Sequence, residues 1–95
     1  MSFCLRWDEE NDIPETKFYA LGKPYLRTSS QITVLHLKKY IIQKYDLSEK
    51  DCEHLQFRCK GQLLKDSDRV AHIFETIWLD PNADLELLFC ATRVL

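Results

Sequence analysis

The chain has 95 residues, 45% of them hydrophobic and 29% charged, with two Gly, three Pro and a net charge of −2. That length holds one compact domain, and that composition excludes a disordered or low-complexity chain. The lack of a basic excess excludes a dedicated nucleic-acid binder, no apolar run approaches the roughly 18 residues of a membrane helix, and MSFCLRWDEE lacks the pattern of a signal peptide.

Phe3, Leu5 and Trp7 alternate with Cys4 and Arg6, which predicts a half-buried strand. Asp8 to Pro14 reads as an acidic turn. The aromatic stretch 17–28 reads as a second strand, interrupted by Gly22 and Pro24. A proline cannot donate to a sheet ladder, so an edge strand or a bulge is expected here.

Residues 33–45 predict the one long helix. Val34, Leu37, Ile41 and Tyr45 share a face at about 100° per residue. Thr33 is the expected N-cap, its hydroxyl accepting an orphan N–H. Lys38, Lys39 and Lys44 are expected in solvent, and Leu35 with Ile42 forms a second apolar stripe. Residues 46–54 read as a polar loop. Leu55, Phe57 and Cys59 alternate with Gln56 and Arg58 as a third strand, and Lys60-Gly61 is a tight turn into a short strand at 62–64. Val70, Ile73, Phe74, Ile77 and Trp78 fit a short helix or helical turns, DPNAD at 80–84 a turn, and LELLFC at 85–90 a final strand apolar enough for a sheet centre. The predicted fold class is α+β: a ubiquitin-like β-grasp, with a mixed sheet of about five strands, one main helix and a short second helical segment. Residues 1–95 form a single domain in this reading.

No spacing supports catalysis. His36, His54 and His72 have no nucleophile and orienting group placed with them by sequence. Cys52, His54 and Cys59 lie close, but no fourth zinc ligand is evident and Cys59 belongs to the core alternation. Asp80, Asn82 and Asp84 resemble the start of a calcium loop, yet the positions that need Gly and Glu hold Leu85 and Ala91. With Gly22 and Gly61 the only glycines, there is no phosphate-binding loop. No catalytic, cofactor-binding or metal-binding residues are expected. Four cysteines without a C-x-x-C pair point to a reduced chain with buried thiols.

HLQFRCKGQLLKDSDRVAHI resembles the strand–turn–strand–helical-turn segment of ubiquitin-like folds, but ATRVL replaces a terminal Gly-Gly, which disfavours a conjugated modifier. YLRTSSQ at 25–31 followed by ITVLHLKKYI at 32–41 resembles the RAWUL domain, the ubiquitin-like C-terminal module of Polycomb RING-finger proteins. The excursion at 8–22 and the Ile77-Trp78 pair before the last strand are similar to that family too. HLKK at 36–39 is similar to the PCGF type, while LELLFCA also suits the RING type. The resemblance implies a C-terminal piece of a longer RING-finger protein, nuclear, that docks partner subunits and so assembles a Polycomb repressive complex in transcription repression and chromatin regulation. It implies a heterodimeric contact with a BCOR-like corepressor, a polyhomeotic-like or a chromobox-like subunit. A RING finger is not in this sequence, so ligase activity is not expected of it.

In a β-grasp the second strand is an edge, and that edge is the expected contact, since a partner strand can complete its unpaired N–H and C=O groups. Tyr19, Tyr25, Leu26, Arg27 and Thr28 are the candidate partner-binding residues; Tyr and Arg are common interface anchors. The alternative is a generic ubiquitin-like or Ras-association-like adaptor, meeting a small GTPase through Lys38, Lys39 and Arg58.

Overall fold

The computed structural model describes residues 2–8 and 25–92. Five strands form one sheet: β1 (Ser2–Trp7), β2 (Tyr25–Arg27), β3 (Leu55–Cys59), β4 (Gln62–Leu63) and β5 (Leu85–Ala91), in the order β2-β1-β5-β3-β4. The first and last strands run parallel at the centre, with Leu5 opposite Leu87, and the other pairings are antiparallel. This is the mixed β-grasp sheet the sequence predicts.

The side of the sheet facing the main helix is apolar. Phe3 and Leu5, Leu55, Phe57 and Cys59, and Leu85, Leu87 and Phe89 are all buried there. Phe57 and Phe89 sit opposite each other, ring centroids 6.0 Å apart and tilted 31°, within the range favoured for aromatic pairs. Cys4 and Cys90, on the opposite face, are buried as well. Ser2 and Arg6 on that opposite face are exposed, so β1 is the half-buried strand that its alternation suggests, with the small Cys4 thiol covered between them.

Helix α1 (Val34–Lys44) buries Val34, Leu37 and Ile41 as expected from their spacing. Ile42 is buried and Leu35 exposed, so the second apolar stripe is split between core and surface. Lys38 corrects the expected solvated face: it is 8% exposed, its Nζ 2.6 Å from Asp66 Oδ1. The long aliphatic stem covers the core while the ammonium meets a carboxylate from another segment. At its end, Leu47 N donates to Ile42 O (2.8 Å) and Asp46, at φ 52°, takes the left-handed position that usually favours Gly.

The stretch 46–54 is not wholly loop. A 3-10 helix spans Glu49–His54, its first turn closed by Ser48 and Asp51: Ser48 N donates to Asp51 Oδ2 at 3.0 Å, and Lys50 N to Ser48 Oγ at 3.3 Å. The S-x-x-D spacing is the capping signal that the polar composition hides. Lys60 (φ 51°) and Gly61 (φ 80°) make the tight β3–β4 turn. The short second helix α2 (Val70–Ile73) runs into a π-helical turn at Phe74–Trp78. Lys60 Nζ closes that end, donating to Trp78 O at 2.6 Å and lying 5.0 Å from the indole centroid.

The two helix starts cap each other. Val34 N and Leu35 N donate to Asp68 O (2.9 Å) and Asp66 O (3.1 Å), while Val70 N and Ala71 N donate to Ile32 O (2.9 Å) and Ser30 O (2.8 Å). Four N–H groups that a helix leaves orphaned are thus satisfied between two loops. The exchange fixes residues 28–33 against the body of the domain, beside β2.

Candidate docking surface

β2 is an outer strand, with β1 its only neighbour among the described residues. Its register places Ser2 opposite Arg27, Phe3 opposite Leu26 and Cys4 opposite Tyr25. Phe3 faces the core, so Leu26 shares the helix side of the sheet, whereas Tyr25 and Arg27 lie on the other side. Tyr25 is 58% exposed and Arg27 is exposed too, while Leu26 and Thr28 are half-buried.

A groove of about 320 Å³ runs between this strand and α1. Leu26, Ile32, Leu37 and Tyr40 supply its apolar lining, and Arg27, Thr28 and His36 its polar part. His36 is held by the start of the helix. Its Nδ1 accepts from the Thr33 N–H at 3.2 Å and lies 2.9 Å from Thr33 Oγ1. The imidazole therefore closes the Thr33 cap, a task the sequence reading gave to the hydroxyl alone.

Four of the five expected contact residues, Tyr25, Leu26, Arg27 and Thr28, thus come together at one edge; Tyr19, with the rest of 9–24, lies outside the described residues. The edge adjoins an apolar groove whose far wall is α1, with His36, Leu37 and Tyr40. Residues 24–90 match the family model described as RAWUL domain, RING finger- and WD40-associated ubiquitin-like. The chain belongs to the RAWUL family. It is 31% identical over 87 residues to Polycomb group RING finger protein 3 of Homo sapiens, and equally to that of Mus musculus, covering 92% of this chain and 33% of each relative. The PCGF type is thereby the one found. This RAWUL chain spans about a third of the length of the curated relatives it matches. The crystal structure of Trypanosoma brucei ATG8 superimposes with a TM-score of 0.70 at 13% identity, covering 99% of this chain and 76% of that one. That likeness shows the ubiquitin-like fold alone.

Sequence reasoning missed Ile32, His36 and Tyr40 as parts of the RAWUL groove. Two signals were present: Thr33 and His36 stand at the N-cap and third helical positions, and His36 and Tyr40 are four apart on one helix face. A second cleft, of about 240 Å³, is lined by Lys39, Ile42, Gln43, Glu49 and Cys52. Burial pushes the Cys52 thiol above its ordinary pKa, the reverse of what a nucleophile needs. Cys59 is pushed the same way by the same cause. None of the four cysteines is in a disulfide, and among the described residues no three His, Cys, Asp or Glu groups gather as a metal site.

Proposed function

We propose that this chain is the docking module of a longer, nuclear RING-finger protein, and that it works by binding a partner subunit on the β2 edge during assembly of a Polycomb repressive complex. The observation that carries the reading is the coincidence of an outer strand bearing exposed Tyr25 and Arg27 with an apolar groove beside the same sheet edge. An added strand gains main-chain hydrogen bonds from the edge and specificity from alternate side chains. Family membership and the Polycomb group RING finger relatives support a protein partner. A BCOR-like corepressor segment is the first to test, ahead of polyhomeotic-like and chromobox-like subunits.

The test compares wild type with Tyr25→Ala and Arg27→Glu for binding to that segment by titration calorimetry, with circular dichroism to confirm folding. Weaker binding by folded variants is expected. Unchanged affinity in both would refute the β2 edge as the contact. A pulldown from nuclear extract read by mass spectrometry identifies the partner in the native setting.

The adaptor alternative loses ground on geometry. Lys38 is buried against Asp66, and Lys39 belongs to the helix side while Arg58 lies on the opposite face of the sheet. Three cations that do not share a surface are a poor GTPase contact. A GTPase pulldown that captured a GTP-loaded partner through Lys39 or Arg58 would reverse that judgement.

A further inference from the structure

We propose that the β2 edge selects an extended partner strand with a large apolar residue opposite Leu26 and a carboxylate opposite Arg27. This rests on the docking reading above and specifies the occupant's chemistry.

The register dictates the rule. A strand added to β2 lies about 4.8 Å away and continues the pleat, so each of its side chains falls on the same face as the β2 residue it opposes. Leu26 shares the face of Phe3. The residue opposite it therefore points to the helix side, where Leu26, Ile32, Leu37 and Tyr40 line the groove. An apolar side chain there removes apolar surface from water on both partners. The neighbours of that anchor point to the other face. One meets Tyr25, which favours an aromatic or aliphatic pair; the other meets Arg27, which favours a carboxylate.

Charge around the groove has one sign. Arg27 is its cationic group, and no carboxylate lines it among the described residues. On the outer face Glu86 stands within 3.5 Å of Arg6, so a carboxylate already balances that cation. A basic residue opposite Arg27 would meet a like charge directly across the ladder, which destabilises a pair. The preference is therefore asymmetric: an acid on one side of the apolar anchor and an aromatic or aliphatic residue on the other.

The probe is a phage-displayed library of random peptides selected on the immobilised domain, with hydrogen exchange used to map where the selected peptides bind. Selection should enrich an apolar anchor flanked on one side by Asp or Glu, and these peptides should slow exchange of the 25–27 amides. On the Arg27→Glu variant the same selection should switch the flank to Lys or Arg, and the acidic peptides should bind about fivefold more weakly. Peptides that protect 25–27 without an acidic flank overturn this rule while leaving the docking reading intact. Peptides that protect other residues, or a failure to enrich any, overturn both. Protection in the free domain of those 25–27 amides that point away from β1 overturns the partner as occupant: sedimentation then assigns the edge to a second copy if the domain is dimeric, and to its own chain if monomeric.

Discussion

The Lys38–Asp66 pair gives the sharpest energetic prediction, because its two ends sit in different surroundings. The Lys38 side chain is 10% exposed and that of Asp66 is 55% exposed, with 2.6 Å between the charged atoms. A fully exposed pair contributes about 0–1 kcal/mol, and removal of one partner from a buried pair costs about 3–5 kcal/mol. With one end in water, Asp66→Asn should cost about 1–2 kcal/mol, because the ammonium loses its counter-charge but keeps a hydrogen-bond acceptor within reach. The backbone carbonyl that receives Leu35 N is unchanged by the substitution. Lys38→Met keeps the aliphatic stem and removes the charge, so it should cost less than Asp66→Asn, and the double variant should cost no more than Lys38→Met alone. Urea unfolding followed by circular dichroism measures all three, and each kcal/mol corresponds to a shift in Tm of about 4–8 °C in a domain of this size. A neutral Asp66→Asn, or a Lys38→Met more damaging than it, would refute the account of a buried ammonium held by its carboxylate.

Leu37, 2% exposed, belongs to the core cluster, so Leu37→Ala should lose about 2–5 kcal/mol in the same urea assay; because Leu37 also lines the groove, binding by this variant is to be read only where it remains folded. Gly61 sits at φ 80° with nothing within 4 Å of where a Cβ would stand, so Gly61→Ala should cost about 1 kcal/mol through backbone strain alone, and a stabilised variant would contradict the turn geometry. Cys52 and Cys59 have raised pKa values through burial. Above the ordinary thiol pKa of about 8.5 the unfolded chain releases protons that the folded chain retains, so stability should fall as pH rises through that range, most clearly relative to a chain with both replaced by Ser. Equal pH dependence of the two chains between neutral and alkaline pH would refute that burial effect.

The period-two pattern at 55–59, the apolar run at 85–90 and the 3.6-residue pattern at 34–41 were legible because each element's burial follows its own local pattern. The same holds for the turn at Lys60-Gly61, whose geometry is local. At the candidate site, the edge placement of β2 was legible from Pro24 and from the β-grasp order, and Tyr25 and Arg27 follow from it. The groove was not legible as such. It exists because loop 28–33 is held by carbonyl exchange with 66–71, which brings Ile32 beside Leu26 across from Tyr40.

By itself, then, the sequence determined the main helix, the sheet's central and edge strands, and the family motif at 25–41. Those properties depend on residues near one another in the chain, or on an apolar periodicity that any packing must bury. The tertiary structure decided that Lys38 is buried rather than solvated, and that the edge strand has a groove at its side. Each of these is set by a partner distant in sequence — Asp66 for Lys38, the 66–68 carbonyls for the start of α1, Leu26 for Tyr40 — and no local pattern carries the position of such a partner.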